Sequence, residues 1–169
     1  MNAFEPTVLV LAQALRTAGL KLATAESCTG GLIAAACTAV AGSSDWFERG
    51  FVTYSNAAKT EMLGVAAPLI AAHGAVSAEV AQAMAEGALA HSHADLAVAV
   101  TGIAGPGGAT PGKPVGTVWL AVARRGGGAG CRVITQTELL QLDGDRAAIR
   151  ALTVQLALQR LTMRATAGC

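Results

Sequence analysis

The run Asp95-Leu96-Ala97-Val98-Ala99-Val100-Thr101 is apolar at every position between its polar ends. A strand with one wet face alternates polar and apolar residues, whereas a strand apolar throughout has to be covered on both faces. That places a sheet in the middle of the molecule with helices on either side. The rest of the chain supplies those layers. Thr7 to Thr17 repeats with helical period and stops at Gly19, a C′ glycine. Lys21 to Ala25 reads as a second buried strand, and Gly31 to Val40 as a helix stopped by Gly42-Ser43-Ser44. Trp46 to Tyr54 reads as a strand. Asn56 to Leu63 and Ala67 to Ala72 are short helices, ended by Gly64 and by His73-Gly74. Ser77 is a good N-cap for a helix from Ala78 to His91. Val115 to Arg124 and Cys131 to Leu139 flank Gly126-Gly127-Gly128-Ala129-Gly130 and read as an antiparallel hairpin. Asp143 to Leu161 forms the last helix. The hairpin breaks a strict βαβ rhythm, so the expected class is α/β: one three-layer α/β/α domain over residues 1–169, core about 7–162, with a mixed sheet.

Charge and composition exclude several classes. Twelve Lys and Arg against eleven Asp and Glu leave a net charge of +1, which supplies no drive toward nucleic acid. Hydrophobic residues make up 53%, yet no apolar run reaches the roughly 18–20 residues of a membrane span. The N-terminus carries Glu5 and Pro6 and no basic segment, so no signal peptide is expected and the expected location is cytoplasmic. Cys28, Cys37, Cys131 and Cys169 form no CxxC pair, and His73, His91 and His93 are not at zinc-site spacing from them. No metal and no cofactor are expected.

Ala25-Glu26-Ser27-Cys28-Thr29-Gly30-Gly31 joins the second strand to its helix. A serine at a sharp strand-to-helix turn can present its hydroxyl at the sheet edge. Glycines allow close backbone approach, and the following N–H groups suit negative charge. Read from these residues alone, Ser27 is either a helix N-cap, the commoner role, or a nucleophile. Cys28 is the rival nucleophile, since a thiol is intrinsically more reactive. Lys59 is the candidate base; it has to lose roughly three units from about 10.4 to work near neutral pH, and apolar neighbours Ala57, Ala58, Met62 and Leu63 favour the burial that would do it. Tyr54 can relay a proton or hold the pair in register. Ser, Tyr and Lys together also suggest short-chain dehydrogenases. There three residues intervene between Tyr and Lys, whereas here four do, and no GxGxxG follows the first strand.

Two further stretches narrow the reading: Tyr54-Ser55-Asn56-Ala57-Ala58-Lys59, and Thr101-Gly102-Ile103-Ala104-Gly105-Pro106-Gly107 with Lys113-Pro114-Val115-Gly116-Thr117-Val118. With the Glu26–Gly31 turn, and with Gly74-Ala75-Val76-Ser77 and Gly144-Asp145-Arg146, they resemble the CinA C-terminal domain family from about Leu11 to Leu158. Stand-alone members of that family are nicotinamide-nucleotide amidohydrolases. The resemblance implies that a small-molecule nucleotide, nicotinamide mononucleotide, loses its carboxamide nitrogen as ammonia and becomes nicotinate mononucleotide. It places the nucleophile on Ser27. The larger N-terminal domain of many members is not expected here.

In that reading Lys59 is the general base and Thr29, Gly30 and Gly31 are the backbone donors to an anion. Thr101, Gly102 and Gly105 line the pocket, Glu26 orients Lys59 or the amide, and Arg146, or Arg150 one turn on, holds the phosphate. The loop from Gly102 to Pro114 is expected to act as a mobile lid or ligand loop. A homodimer is expected from the low charge and small size. Two alternatives stand: a glycosidic hydrolase releasing nicotinamide with Glu26 and Asp45 as its carboxylates, and a pyridine-nucleotide-binding module without turnover.

Overall fold

A computed structural model describes residues 3–126 and 132–167. The elements in chain order are α1 (Glu5–Ala18), β1 (Leu22–Glu26), α2 (Leu32–Thr38), a 3-10 turn (Ser43–Asp45), β2 (Phe47–Val52), α3 (Asn56–Leu63), α4 (Ala67–His73), α5 (Ala78–Ala90), β3 (Leu96–Gly102), β4 (Thr117–Arg125), β5 (Val133–Gln141) and α6 (Arg146–Thr166). The sheet order is β2-β1-β3-β4-β5. The first three strands run parallel, while β4 and β5 run antiparallel to their neighbours. This is the expected three-layer α/β/α domain with a mixed sheet.

The period of two in β3 sorts its side chains between two cores. Leu96, Val98 and Val100 face α1, α2 and α6, together with Leu22, Leu120 and Val122. Ala97 and Ala99 face the other way, with Ala23, Ala25, Ala121 and Ala123, under Val80, Met84 and Ala88 of α5. Large residues thus fill one interface, and a floor of alanines lets α5 lie close to the sheet on the other. Every residue of β1 is buried, as the doubly covered position requires.

Element ends differ from expectation for local reasons. α1 starts at Glu5, because Pro6 is tolerated in a first turn. α6 starts after Asp145, whose carboxylate accepts from the Ala148 N–H at 2.9 Å, and runs on to Thr166. β5 lies two residues later than expected, at Val133–Gln141. Of the glycine-rich segment expected between β4 and β5, residues 127–130 lie outside the described residues, as do Cys131 and Cys169. The loop after β3 is tied at several points: Thr110 and Lys113 exchange backbone hydrogen bonds, Lys113 Nζ donates to the His73 carbonyl, and Gly116 N–H donates to the Ile103 carbonyl. Among the described residues no helix is long and apolar enough to cross a membrane.

Candidate active site

Because β1, β2 and β3 are parallel, their C-terminal ends share one edge of the sheet, where open α/β sheets hold ligands. Ser27 follows β1, Thr53 and Tyr54 follow β2, and Thr101 and Gly102 end β3. All of these except buried Thr53 line a cleft of about 230 Å³, together with Cys28, Asn56, Lys59, Ala75, Val76, Ala104 and Arg146. Three larger grooves, about 650 Å³ between β5 and α6, about 730 Å³ between α1 and α6 and about 600 Å³ between α5 and β5, lie elsewhere. None of the three is lined by a serine or a lysine, whereas the smaller cleft holds Ser27 against Lys59.

α3 delivers Lys59. Ser55 caps that helix, accepting from the Ala58 N–H at 3.0 Å, and this sets the register that turns Lys59 inward. The side chain is only 1% exposed. Its Nζ lies 3.0 Å from Ser27 Oγ, 3.0 Å from the Thr53 carbonyl oxygen and 3.4 Å from the Tyr54 carbonyl oxygen. Burial lowers its pKa, since the ammonium loses water and gains only neutral oxygens. A neutral amine has two N–H bonds and one lone pair. Nζ donates to Ser27 Oγ; in the neutral amine, with the two carbonyls taking the N–H bonds, the lone pair is left for the Ser27 hydroxyl to donate instead.

Cys28 also lines the cleft, but burial pushes its thiol up to about 11. It therefore stays protonated at neutral pH and is a poor nucleophile.

The turn differs from its expected use. Gly30 and Gly31 have φ of 61° and 98°, a region that favours glycine, and they carry the chain sharply from β1 into α2. Their N–H groups, however, are already engaged: Gly30 donates to the Ser27 carbonyl and Gly31 to Glu26 Oε2. The Thr29 hydroxyl donates to Glu26 as well. The Cys28 N–H lies against its own thiol, and the Thr29 N–H makes no hydrogen bond among the described residues, but Thr29 is fully buried and does not line the cleft.

Glu26 is fully buried and points away from the cleft into the start of α2; its bonds go there, not to Lys59. The Tyr54 side chain is 60% exposed, and its hydroxyl accepts from Arg146 Nη2 at 3.2 Å. What Tyr54 offers Lys59 is its carbonyl. Arg146 also donates to the Gly105 carbonyl at 2.9 Å, closing the rim between the loop after β3 and Tyr54. Arg150 Nη2 donates to the Thr29 carbonyl at 2.9 Å, behind the turn. The Thr101 hydroxyl is held by the Ala75 carbonyl at 2.8 Å, and Gly102 leaves no space for a Cβ against Val118.

Asn56, Ala75, Val76 and Ala104 line the cleft without having been singled out by role. Their signal was membership of the Tyr54–Lys59, Gly74–Ser77 and Thr101–Gly107 stretches, which residue chemistry alone does not rank. Asp45 sits before β2, at the opposite end of the sheet from Glu26, and pairs with Arg16 at 3.7 Å on the surface. A five-residue strand separates the two ends by roughly 13 Å, beyond the about 5–9.5 Å a glycosidase pair needs. The glycosidic alternative loses both carboxylates.

The chain matches the family model described as CinA C-terminal domain over residues 5–165. It belongs to the CinA C-terminal domain family. The nicotinamide-nucleotide amidohydrolase PncC of Pseudomonas putida is 54% identical over 156 residues, covering 92% of this chain and 93% of that protein. A CinA-like protein of Citrifermentans bemidjiense is 60% identical over 151 residues, 89% of this chain. The chain spans only about a third (35%) of the length of that protein. Among solved structures, the competence damage-inducible protein A from Klebsiella pneumoniae superposes with a TM-score of 0.89 at 40% identity, covering 96% of this chain and 97% of that one. A competence/damage inducible protein from Agrobacterium tumefaciens gives 0.87 at 46% identity, with 97% and 96% covered. The CinA C-terminal domain thus accounts for residues 5–165 of this chain.

Proposed function

We propose that this chain hydrolyses the carboxamide of nicotinamide mononucleotide to nicotinate mononucleotide and ammonia, in pyridine nucleotide recycling. The observation that carries the reading is the buried Ser27–Lys59 pair, 3.0 Å apart in a cleft at the sheet edge. The substrate is suggested by the relatives named nicotinamide-nucleotide amidohydrolase, more than half identical over most of both chains.

Ser27 Oγ attacks the carboxamide carbon while its proton passes to Lys59 Nζ. The carbonyl oxygen becomes an oxyanion, held by backbone N–H groups of the turn that carries Ser27, each such donor being worth about 10²–10³ in rate. Collapse of this intermediate breaks the carbon–nitrogen bond, and Lys59 returns the proton to the leaving nitrogen, which departs as ammonia. Water then attacks the acyl ester, giving its proton to Lys59 and from there to Ser27. Arg146 at the rim is the cation for the substrate phosphate. Thr101 and Gly102 line the cleft, Gly105 acts through its carbonyl on Arg146, and no metal or cofactor takes part. The same reading has the chain working in the cytoplasm as a homodimer.

Incubation with nicotinamide mononucleotide, followed by chromatography and an ammonia assay, tests it. Equal amounts of nicotinate mononucleotide and ammonia are expected. Free nicotinamide would mean glycosidic cleavage, and nucleotide bound without product would mean a binding module.

A further inference from the structure

Glu26 is the one carboxylate buried beside the Ser27 turn, and the mechanism above does not use it. Its side chain is 0% exposed. Oε2 accepts from the Thr29 hydroxyl at 2.6 Å, from the Gly31 N–H at 3.0 Å and from the Ile33 N–H at 3.0 Å. Oε1 accepts from the Ala34 N–H at 2.8 Å. Every partner is a donor, so the group is used purely as an acceptor, which is what a carboxylate supplies. These four bonds tie the last residue of β1 to the chain on the far side of Ser27. On the other side, Arg150 from α6 takes the Thr29 carbonyl. With Thr29 gripped at its hydroxyl and its carbonyl, the turn that follows Ser27 has little freedom.

We infer that Glu26 is a positioning residue: through its bonds to Thr29 and the start of α2 it fixes the turn that carries Ser27 and so holds Ser27 Oγ against Lys59 Nζ. This rests on the serine reading of the site. It differs from a contact with substrate or with Lys59, because the carboxylate reaches neither. It also differs from simple helix capping, because the turn that Glu26 closes contains the nucleophile.

Glu26→Gln keeps the size and one oxygen but replaces the other with a donor, which then faces a donor. The inference predicts that kcat for nicotinamide mononucleotide falls about 10²-fold, the lower end of what a positioned general base contributes, with KM changed less than threefold. The pH midpoint of kcat should stay where it is in the wild type, since Lys59 is untouched. The rate of covalent labelling of Ser27 by a fluorophosphonate should fall in parallel, with circular dichroism showing a folded chain. In Glu26→Ala, sodium formate should raise the labelling rate saturably, by filling the seat of the lost carboxylate, and should leave the wild type unchanged.

Labelling and kcat within twofold of wild type in folded Glu26→Gln would reduce the residue to a helix cap and overturn the inference. A shifted pH midpoint would make Glu26 a charge partner of Lys59 and overturn it as well. Wild-type chain that labels at Ser27 but leaves the nucleotide intact would refute the substrate alone; the labelling ratio then still decides the role of Glu26. Wild-type chain that does not label at Ser27 would overturn both readings.

Discussion

Lys59 carries the largest chemical burden of any single residue. A buried ammonium held by three neutral oxygens is costly, so the amine form is favoured and the pKa falls. Activity should therefore rise with pH through a midpoint below the ordinary lysine value of about 10.4, read from a kcat profile. Lys59→Arg keeps the charge but holds its proton to about pH 12 or above, so it should lose at least about 10²-fold in kcat. Near-normal turnover would show that only charge is needed. The same shift has a stability consequence. Between the folded and unfolded pKa values the unfolded chain binds a proton that folded Lys59 has released, so stability rises with pH across that window. Thermal melts should show wild type gaining on Lys59→Met as pH climbs toward about 10; a constant difference would mean that Lys59 stays charged. At the nucleophile, Ser27→Ala should abolish acyl-enzyme formation, seen by mass spectrometry, while Cys28→Ala keeps most of the rate. The reverse pattern would move the chemistry to the thiol despite its raised pKa.

At the scale of the element, α5 shows how close packing sets what a position tolerates. Gly87 lies where α5 meets the end of α3, and a Cβ there would sit 2.1 Å from the Leu63 carbonyl oxygen. Helix propensity favours Ala over Gly by about 1 kcal/mol, but overpacking against backbone costs about 1–3 kcal/mol. The second effect wins because a carbonyl in the last turn of α3 cannot rotate away as a side chain would. Gly87→Ala should lower stability by about 1 kcal/mol net in urea unfolding; a stabilising result would mean that α3 shifts freely. The loop after β3 is another case where packing decides. Its glycines and proline suggest a free lid, yet Arg146, Lys113 and the Thr110–Lys113 pair tie it to the rim and to α4.

Across the whole molecule, the parallel half of the sheet creates the site and the antiparallel half broadens the core. β1 can sit between β2 and β3 only because helices cross both faces, and that arrangement gathers Ser27, Tyr54 and Thr101 at one edge. Leu9, Val10, Ile134, Leu139, Leu152 and Met163 are exposed on the single chain. With net charge near zero there is little repulsion between copies. Light scattering at micromolar concentration should give twice the chain mass; a monomer mass would refute the homodimer.

The sequence by itself determined the layer order and the residues from which the site is drawn. The doubly apolar run of β3 requires cover on both faces, and Ser55, Ser77, Asp145 and the glycines at turns act within a few residues of themselves. Local chemistry of that kind is written in local spacing. The Ser27–Lys59 contact was legible only as two candidates, since 32 positions separate them and no periodicity encodes the approach. Glu26 could not be read as the brace of the turn, because a carboxylate beside a serine looks the same in sequence whether it faces the cleft or the interior. Tyr54 likewise lends its carbonyl to Lys59 while Arg146 holds its hydroxyl, a division set by how β2 ends and where α6 begins. Tertiary structure decided those roles, because direction and burial of a side chain depend on elements far away in the chain that pack against it.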